Sequence, residues 1–223
     1  MKQTPAHDTV NYDLLNLIPV TARRIVEVGC MHGQMAREYL PRNPTANYVG
    51  IDIDPDYAKV AEQFCTQAFS GDIESINSEK FSQLFPSDCW IFGDCLEHLR
   101  DPWSLLKNIR TSIDQDGCLL ACIPNAQHWS VQWRLLSGKF HYEDSGLMDK
   151  THLRWLTRTT MVDMFTSTGW KIENLFDRIP NEIPLQAFAL KGLEDFAKIC
   201  GLDVNTAKHD AMPIQYIFKV VPA

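Results

Sequence analysis

No apolar run in the chain approaches the roughly 20 residues that a membrane-spanning helix needs, and Met1 to Val10 lack the apolar centre of a secretory signal. A cytoplasmic protein with no membrane span is expected. The seven cysteines (Cys30, Cys65, Cys89, Cys95, Cys118, Cys122, Cys200) are odd in number and never fall in a Cys-x-x-Cys pair, which argues against a zinc ribbon or a thioredoxin-like redox pair. They read as small buried hydrophobes. Positive charge is scarce as well: a formal net charge of −7 gives no basic surface for broad, sequence-independent binding to nucleic acid. Internal repeats, low-complexity tracts and linkers rich in Gly, Ser or Pro are also missing.

What is present is ordinary globular material, 45% hydrophobic and 22% charged over 223 residues, enough for one core. A single domain over 1–223 is expected. Strand-like runs at Arg24–Val28, Tyr48–Asp52, Gln67–Ser70, Cys89–Gly93 and Cys118–Ile123 alternate with helix-like segments. Such alternation signals right-handed crossovers on a parallel sheet, an α/β fold. Asp54–Pro55 and Asp101–Pro102 mark two helix starts, because the carboxylate caps free amides and Pro suits the first helical position. The stretch from Asn125 to Trp155 is polar, aromatic and too irregular for a plain crossover, so residues 125–157 are expected to form a substrate-covering insertion. The chain then reads strand (Trp170–Phe176), helix (Leu185–Cys200), strand (Gln215–Val221).

Three strand tips carry the ligand-binding chemistry. Glu27-Val-Gly-Cys-Met-His-Gly33 follows the first strand, and its glycines let the backbone turn sharply and approach a ligand with no Cβ in the way. Gly50-Ile-Asp-Ile-Asp54 ends the second strand about 20 residues later, where Asp52 can accept both ribose hydroxyls and Ile53 can pack on a base. Asp54 is left as the cap of the next helix. Gly71-Asp-Ile-Glu74 follows the third strand. Taken singly, each of these is also a plain turn or a solvated carboxylate.

Together the three resemble the cofactor motifs of class I methyltransferases that use S-adenosylmethionine. That resemblance implies a Rossmann-like, mostly parallel seven-stranded sheet with helices on both faces and a terminal antiparallel strand inserted beside the fifth. It implies that the loop holding Glu27, Gly29 and Gly33 wraps the methionine end of the cofactor, that Asp72 takes the adenine amino group and that the Ile73 amide meets a ring nitrogen. Asp94, at the fourth strand tip, is counted among the cofactor contacts. One departure stands out: Met31 occupies the place of the middle glycine. Two rivals stay open, a nicotinamide dehydrogenase, which lacks its Gly-x-Gly-x-x-Gly pattern here, and a non-catalytic Rossmann-like binding domain, which Met31 favours.

Asp94-Cys-Leu-Glu-His-Leu-Arg-Asp-Pro102 closely resembles the Asp-x-Leu-Glu-His-x-x-Asp-Pro segment of a bacterial methyltransferase group that includes ubiquinone-biosynthesis O-methyltransferases and enzymes tied to sugars or cell-surface polysaccharides. Pro124-Asn125, Gly146-Leu-Met-Asp149 and Thr151-His-Leu-Arg-Trp-Leu-Thr157 match a second run found in part of that group. The likeness covers Tyr12 to Lys171. It implies methyl transfer to an oxygen or nitrogen of a small-molecule acceptor, sugar-bearing or quinone-like.

Methyl transfer needs a base to take the acceptor proton or a metal to lower its pKa. Asp94, Glu97 and His98 lie at i, i+3 and i+4, one side of a helical turn. With His152 they resemble the divalent-metal site of small-RNA 3′-end 2′-O-methyltransferases, which implies Mg²⁺ or Mn²⁺ and, as an alternative function, metal-assisted RNA 2′-O-methylation. The competing readings are His98 as a simple base and Asp94-x-x-Glu97 as a capping box with no chemistry. His128, His141, Trp129, Trp133, Tyr142 and Trp155 are candidates to line the acceptor pocket or to pack a lid. His7, His32 and His209 receive no assignable chemistry, and oligomeric state is not legible.

Overall fold

The computed structural model describes residues 4, 5, 7–181 and 183–223. Seven strands, β1 (Arg24–Val28), β2 (Asn47–Asp52), β3 (Gln67–Ser70), β4 (Cys89–Gly93), β5 (Cys118–Pro124), β6 (Trp170–Arg178) and β7 (Gln215–Pro222), form one sheet in the order β3-β2-β1-β4-β5-β7-β6. The first five pair parallel, while β7 runs antiparallel between β5 and β6. This is the expected architecture, with the expected strand inserted beside the fifth.

Side-chain alternation along each strand divides the core into two apolar layers. Val26, Val28, Trp90, Phe92, Leu119 and Phe218 point to one face, and Ile25, Tyr48, Ile91, Leu120 and Ile217 to the other. A parallel sheet covered on both faces demands such near-continuous apolar strands. Each large side chain removed from water contributes on the order of 1.5–3 kcal/mol. Five of the cysteines, Cys30, Cys65, Cys89, Cys118 and Cys122, fill the second layer as small apolar groups, and all seven are free thiols.

The helices are α1 (Tyr12–Leu15), α2 (Gln34–Tyr39), α3 (Pro55–Ala61), α4 (Ser78–Ser82), α5 (Pro102–Ser112), α6 (Trp129–Leu136), α7 (Arg158–Ser167), α8 (Pro184–Ile199) and α9 (Val204–Asp210). Asp54 and Asp101 cap α3 and α5 with their side chains, as their Asp-Pro steps predict. No helix among the described residues is long and apolar enough to cross a membrane.

Chain order reverses between β1 and β4: from β1 the chain moves outward to β2 and β3, then returns to β4 on the other side. The crevice at the carboxyl ends of β1 and β4 is where open α/β sheets bind ligands. Residues 125–157 rise beside this edge as α6 followed by an irregular loop. Buried Asn125 anchors the near end, its amide donating to the carbonyls of Asp210 and Pro213, and the Ala126 amide donates to Leu156 across the loop's base.

Candidate active site

The glycine loop leaves β1 with three residues in the left-handed region, Gly29 (φ +76°), Met31 (φ +45°) and Gly33 (φ +75°). Met31 thus adopts a left-handed conformation that favours glycine, at a conformational cost of about 1–2 kcal/mol. The turn is held from below: the Met31 amide donates to Asp52 Oδ2 at 2.8 Å and the Asp54 amide to Asp52 Oδ1 at 2.9 Å. Each carboxylate oxygen retains a further acceptor position, and Asp52 is 6% exposed. Ile53, next along, is 51% exposed, an apolar platform at the sheet edge.

Glu27 lies behind the loop. It is buried and accepts a 2.9 Å hydrogen bond from the Tyr48 hydroxyl. Burial raises its carboxyl to about 8, opposed by the Tyr48 bond and assisted by nearby Asp52. Asp72 folds into its own turn, accepting from the Glu74 amide and the Ser75 hydroxyl, and pairs with Arg100 at 2.5 Å. Arg100 and the amide of Asp101 also engage Glu74, so the third strand tip is latched to the segment after β4. The side chain of Ile73 is buried in the first apolar layer.

The segment after β4 departs from the helical turn that its spacing suggests. Asp94 has φ +52°, and the short 3-10 turn Leu96–His98 begins after Cys95, which caps it with no side-chain bond. This overturns the capping box: Asp94 caps nothing there, and its own amide donates to the Cys122 carbonyl. A capping box does occur in the chain, but at Thr157 and Thr160. The left-handed residue also swings Asp94 away from Glu97 and His98, so the four-ligand metal set is corrected to three.

Asp94 instead accepts from Gln215 on β7 at the floor of an open pocket of about 490 Å³ that Arg178, Asn11 and His7 help to line. Solvent reaches it, yet protein walls surround it, and that setting raises its carboxyl to about 6 against the lowering pull of Arg178 and His7. Arg178 is itself held by Asp13 at 2.6 Å and by Gln215 at 2.7 Å.

Glu97, His98 and His152 do come together, with one potential ligand atom from each within 4.8 Å of the others. The loop carrying His152 is brought there by the main chain: the amides of Leu153 and Arg154 donate to the Glu97 carbonyl at 2.8 and 2.9 Å. The two imidazoles meet edge to face with centroids 4.8 Å apart. Glu97 is 1% exposed, and among the described residues neither carboxylate oxygen has a hydrogen-bond partner in another residue. Burial, with Asp94 adding to it, pushes its carboxyl well above the usual range. Burial likewise lowers His98, and lowers His152 to about 4.

The aromatic candidates divide. His128 and Trp129 are buried and structural, His128 capping α6, whereas Trp155 packs on His152 and on Phe140. His141 is exposed. The N-terminal segment, to which the sequence offered no clue, crosses this edge: Tyr57 donates to the Thr4 carbonyl, Thr4 to Asp149, and Gln34 to the His7 carbonyl. Arg178 and Gln215 were equally hidden, because on strands they read only as alternation in an edge-side pattern.

A family model described as a methyltransferase domain matches residues 8–175. The trans-aconitate 2-methyltransferase of Methylobacterium nodulans is 30% identical over 116 residues, which cover 51% of this chain and 43% of that protein. The mitomycin 7-O-methyltransferase MmcR superposes with a TM-score of 0.54 at 14% identity, over 91% of this chain and 49% of that one. An O-methyltransferase from a trans-AT polyketide synthase multienzyme of Brevibacillus brevis, solved with S-adenosylhomocysteine, gives 0.61 at 16% identity over 95% and 71%. The match thus spans less than half of the curated relative, and this chain about half of the first of these structures.

Proposed function

This chain belongs to the methyltransferase-domain family, and from that premise we propose that it transfers the methyl group of S-adenosylmethionine to a hydroxyl of a small-molecule acceptor. The observation that carries the reading is the left-handed loop Gly29-x-Met31-x-Gly33, clamped by Asp52 at the switch point of the sheet. In this assignment the loop amides hold the methionine end of the cofactor, Asp52 the ribose hydroxyls, Ile53 one face of the adenine, and the Asp72–Ile73 turn its polar edge. Glu27 supports the loop from behind and Asp94 closes the floor near the reacting methyl.

The reaction is an in-line displacement. The acceptor oxygen forms a bond to the methyl carbon as the carbon–sulfur bond breaks, the electron pair leaves with sulfur as S-adenosylhomocysteine, and the acceptor proton passes to a neighbouring base and from it to water. The cofactor already carries an activated leaving group, so the protein contributes chiefly positioning and removal of that proton. Both imidazoles of the Glu97 group are held neutral by burial and are the groups placed to assist. An acceptor of oxygen type agrees with two of the matched enzymes, which are O-methyltransferases by name.

Calorimetry with S-adenosylmethionine, S-adenosylhomocysteine and a nicotinamide dinucleotide tests the cofactor assignment: the first two bind one per chain and the third does not. No binding of either adenosyl compound overturns it in favour of a non-catalytic domain. Screening pools of quinols, sugar conjugates and hydroxy acids, with an RNA oligonucleotide as a separate arm, for release of S-adenosylhomocysteine then identifies the acceptor.

A further inference from the structure

The helix α8 carries two apolar faces, and among the described residues only one of them is covered by the fold. Gln186, Leu190 and Ala197 turn inward, where Leu190 packs with Trp129 and Ala211. The other side presents Leu185, Phe188, Gly192, Phe196 and Ile199 to solvent, the four large side chains being 47%, 79%, 62% and 83% exposed in that order. At about 3.6 residues per turn these five lie within an arc of about 80°. They form one continuous stripe along the outside of the helix.

With a fully exposed large apolar residue presenting on the order of 200 Å², the stripe leaves roughly 550 Å² of surface per chain. Ile183 and Leu202, half exposed just outside the two helix ends, add roughly 200 Å² more. A lone monomer rarely keeps a contiguous apolar patch much above a few hundred Å², whereas a stable two-chain interface takes about 800 Å² from each partner.

The order of residues along the stripe selects the occupant. Four residues before and after Gly192 stand Phe188 and Phe196, and seven before and after stand Leu185 and Ile199. A two-fold axis through Gly192, perpendicular to the helix, reverses both the position along the helix and the displacement around it. Phe196 of one protomer therefore lands on Phe188 of its partner, and Ile199 on Leu185, each contact occurring twice because such an interface is self-complementary. Gly192 stands at the crossing, where a Cβ would meet nothing within 4 Å, so the two backbones can approach closely. The polar rim pairs acids with bases: Lys191 holds Asp195 at 2.5 Å, and Lys191 and Lys208 both reach Glu194. A helix that lies in a lipid surface carries a basic rim instead, and anionic lipid repels a chain of net charge −7.

We propose that the chain forms a two-fold symmetric dimer through antiparallel pairing of α8 with its copy, centred on Gly192. The insertion that carries α8 joins Arg178, the last residue of β6, to Gln215, the first of β7. Both line the open pocket beside Asp94, so the pairing anchors the segment that links them.

The test uses the full chain. Sedimentation velocity and light scattering at tens of micromolar are expected to give one species of twice the chain mass. Phe188→Glu and Phe196→Glu each put a carboxylate into the apolar seam and are expected to weaken association by at least about a hundredfold, with circular dichroism unchanged. Val20→Glu, at an exposed apolar side chain in the turn leading into β1, keeps the dimer. Cys200 is an exposed thiol, so cross-linking is read in a Cys200→Ser background. There Gly192→Cys sets its thiol on the two-fold axis facing its own copy, and a short bismaleimide is expected to link the two chains; this readout decides should the glutamate variants fail to fold. A dimer that both glutamate variants retain, or that Gly192→Cys fails to link, overturns the proposal. A monomeric parent overturns it as well, and flotation of that monomer with phosphatidylcholine vesicles would assign the stripe to a lipid surface.

Discussion

Replacing Glu27 with Gln tests whether the acid behind the cofactor loop is held in its neutral form. In the fold its carboxyl is raised from 4.5 to about 8, chiefly by burial. Tyr48, Asp52, Cys30 and Cys65 are the titratable groups around it. The folded state therefore binds more protons than the unfolded state between those values, and unfolding free energy must fall as pH rises through that window. Each pH unit is worth at most about 1.4 kcal/mol, which sets an upper limit of about 4 kcal/mol between pH 5 and pH 8.

Glutamine keeps an acceptor for the Tyr48 hydroxyl but adds an amide with no partner, a penalty of about 1–3 kcal/mol at every pH. The variant should thus be less stable than the parent at pH 5 and more stable at pH 8, with a crossing between. Urea denaturation of both proteins at pH 5, 6, 7 and 8 measures this. Other titrating groups act on both chains alike, so the difference isolates Glu27. Parallel stability curves across the range would show that Glu27 is ionised in the fold and refute the reasoning.

Asp52→Asn should weaken S-adenosylhomocysteine binding by at least about tenfold, roughly 1.4 kcal/mol, in a chain whose circular dichroism is unchanged; calorimetry checks it. Gly33→Ala puts a Cβ 3.2 Å from the Ala61 backbone at φ +75° and should lower stability by about 1–2 kcal/mol or more, whereas Met31→Gly relieves a left-handed residue and should be neutral or stabilising by up to about 1 kcal/mol. Equal denaturation midpoints for Gly33→Ala and the parent would contradict the loop geometry. His128, lowered to about 4 by burial, is neutral in the fold, so its stabilisation is present above pH 6.5 and lost as pH falls toward 4. His128→Asn, which can still cap α6, should flatten that acid limb.

Most of the sheet was legible because its strands are buried on both faces and its turns carry strong signals. The Asp-Pro steps at Asp54 and Asp101 mark helix starts whatever the tertiary context, and both caps form. The polar helix α9 and the one-turn α1 escaped notice, each too short to show a helical period. At the site, legibility ended where backbone conformation decides the outcome. Spacing at 94, 97 and 98 predicts one helical face, but that inference assumes right-handed backbone throughout. Asp94 is left-handed, and the single reversal sends its carboxylate to Gln215 and Arg178 while Glu97 and His98 turn toward His152. Residue type alone could not reveal this, since Asp tolerates either region. Met31 errs in the opposite direction: a residue that argued against a cofactor loop adopts the left-handed conformation that glycine favours. Left-handed backbone at two such positions, both at strand tips facing the same crevice, is the kind of sparsely populated conformation that clusters at functional sites.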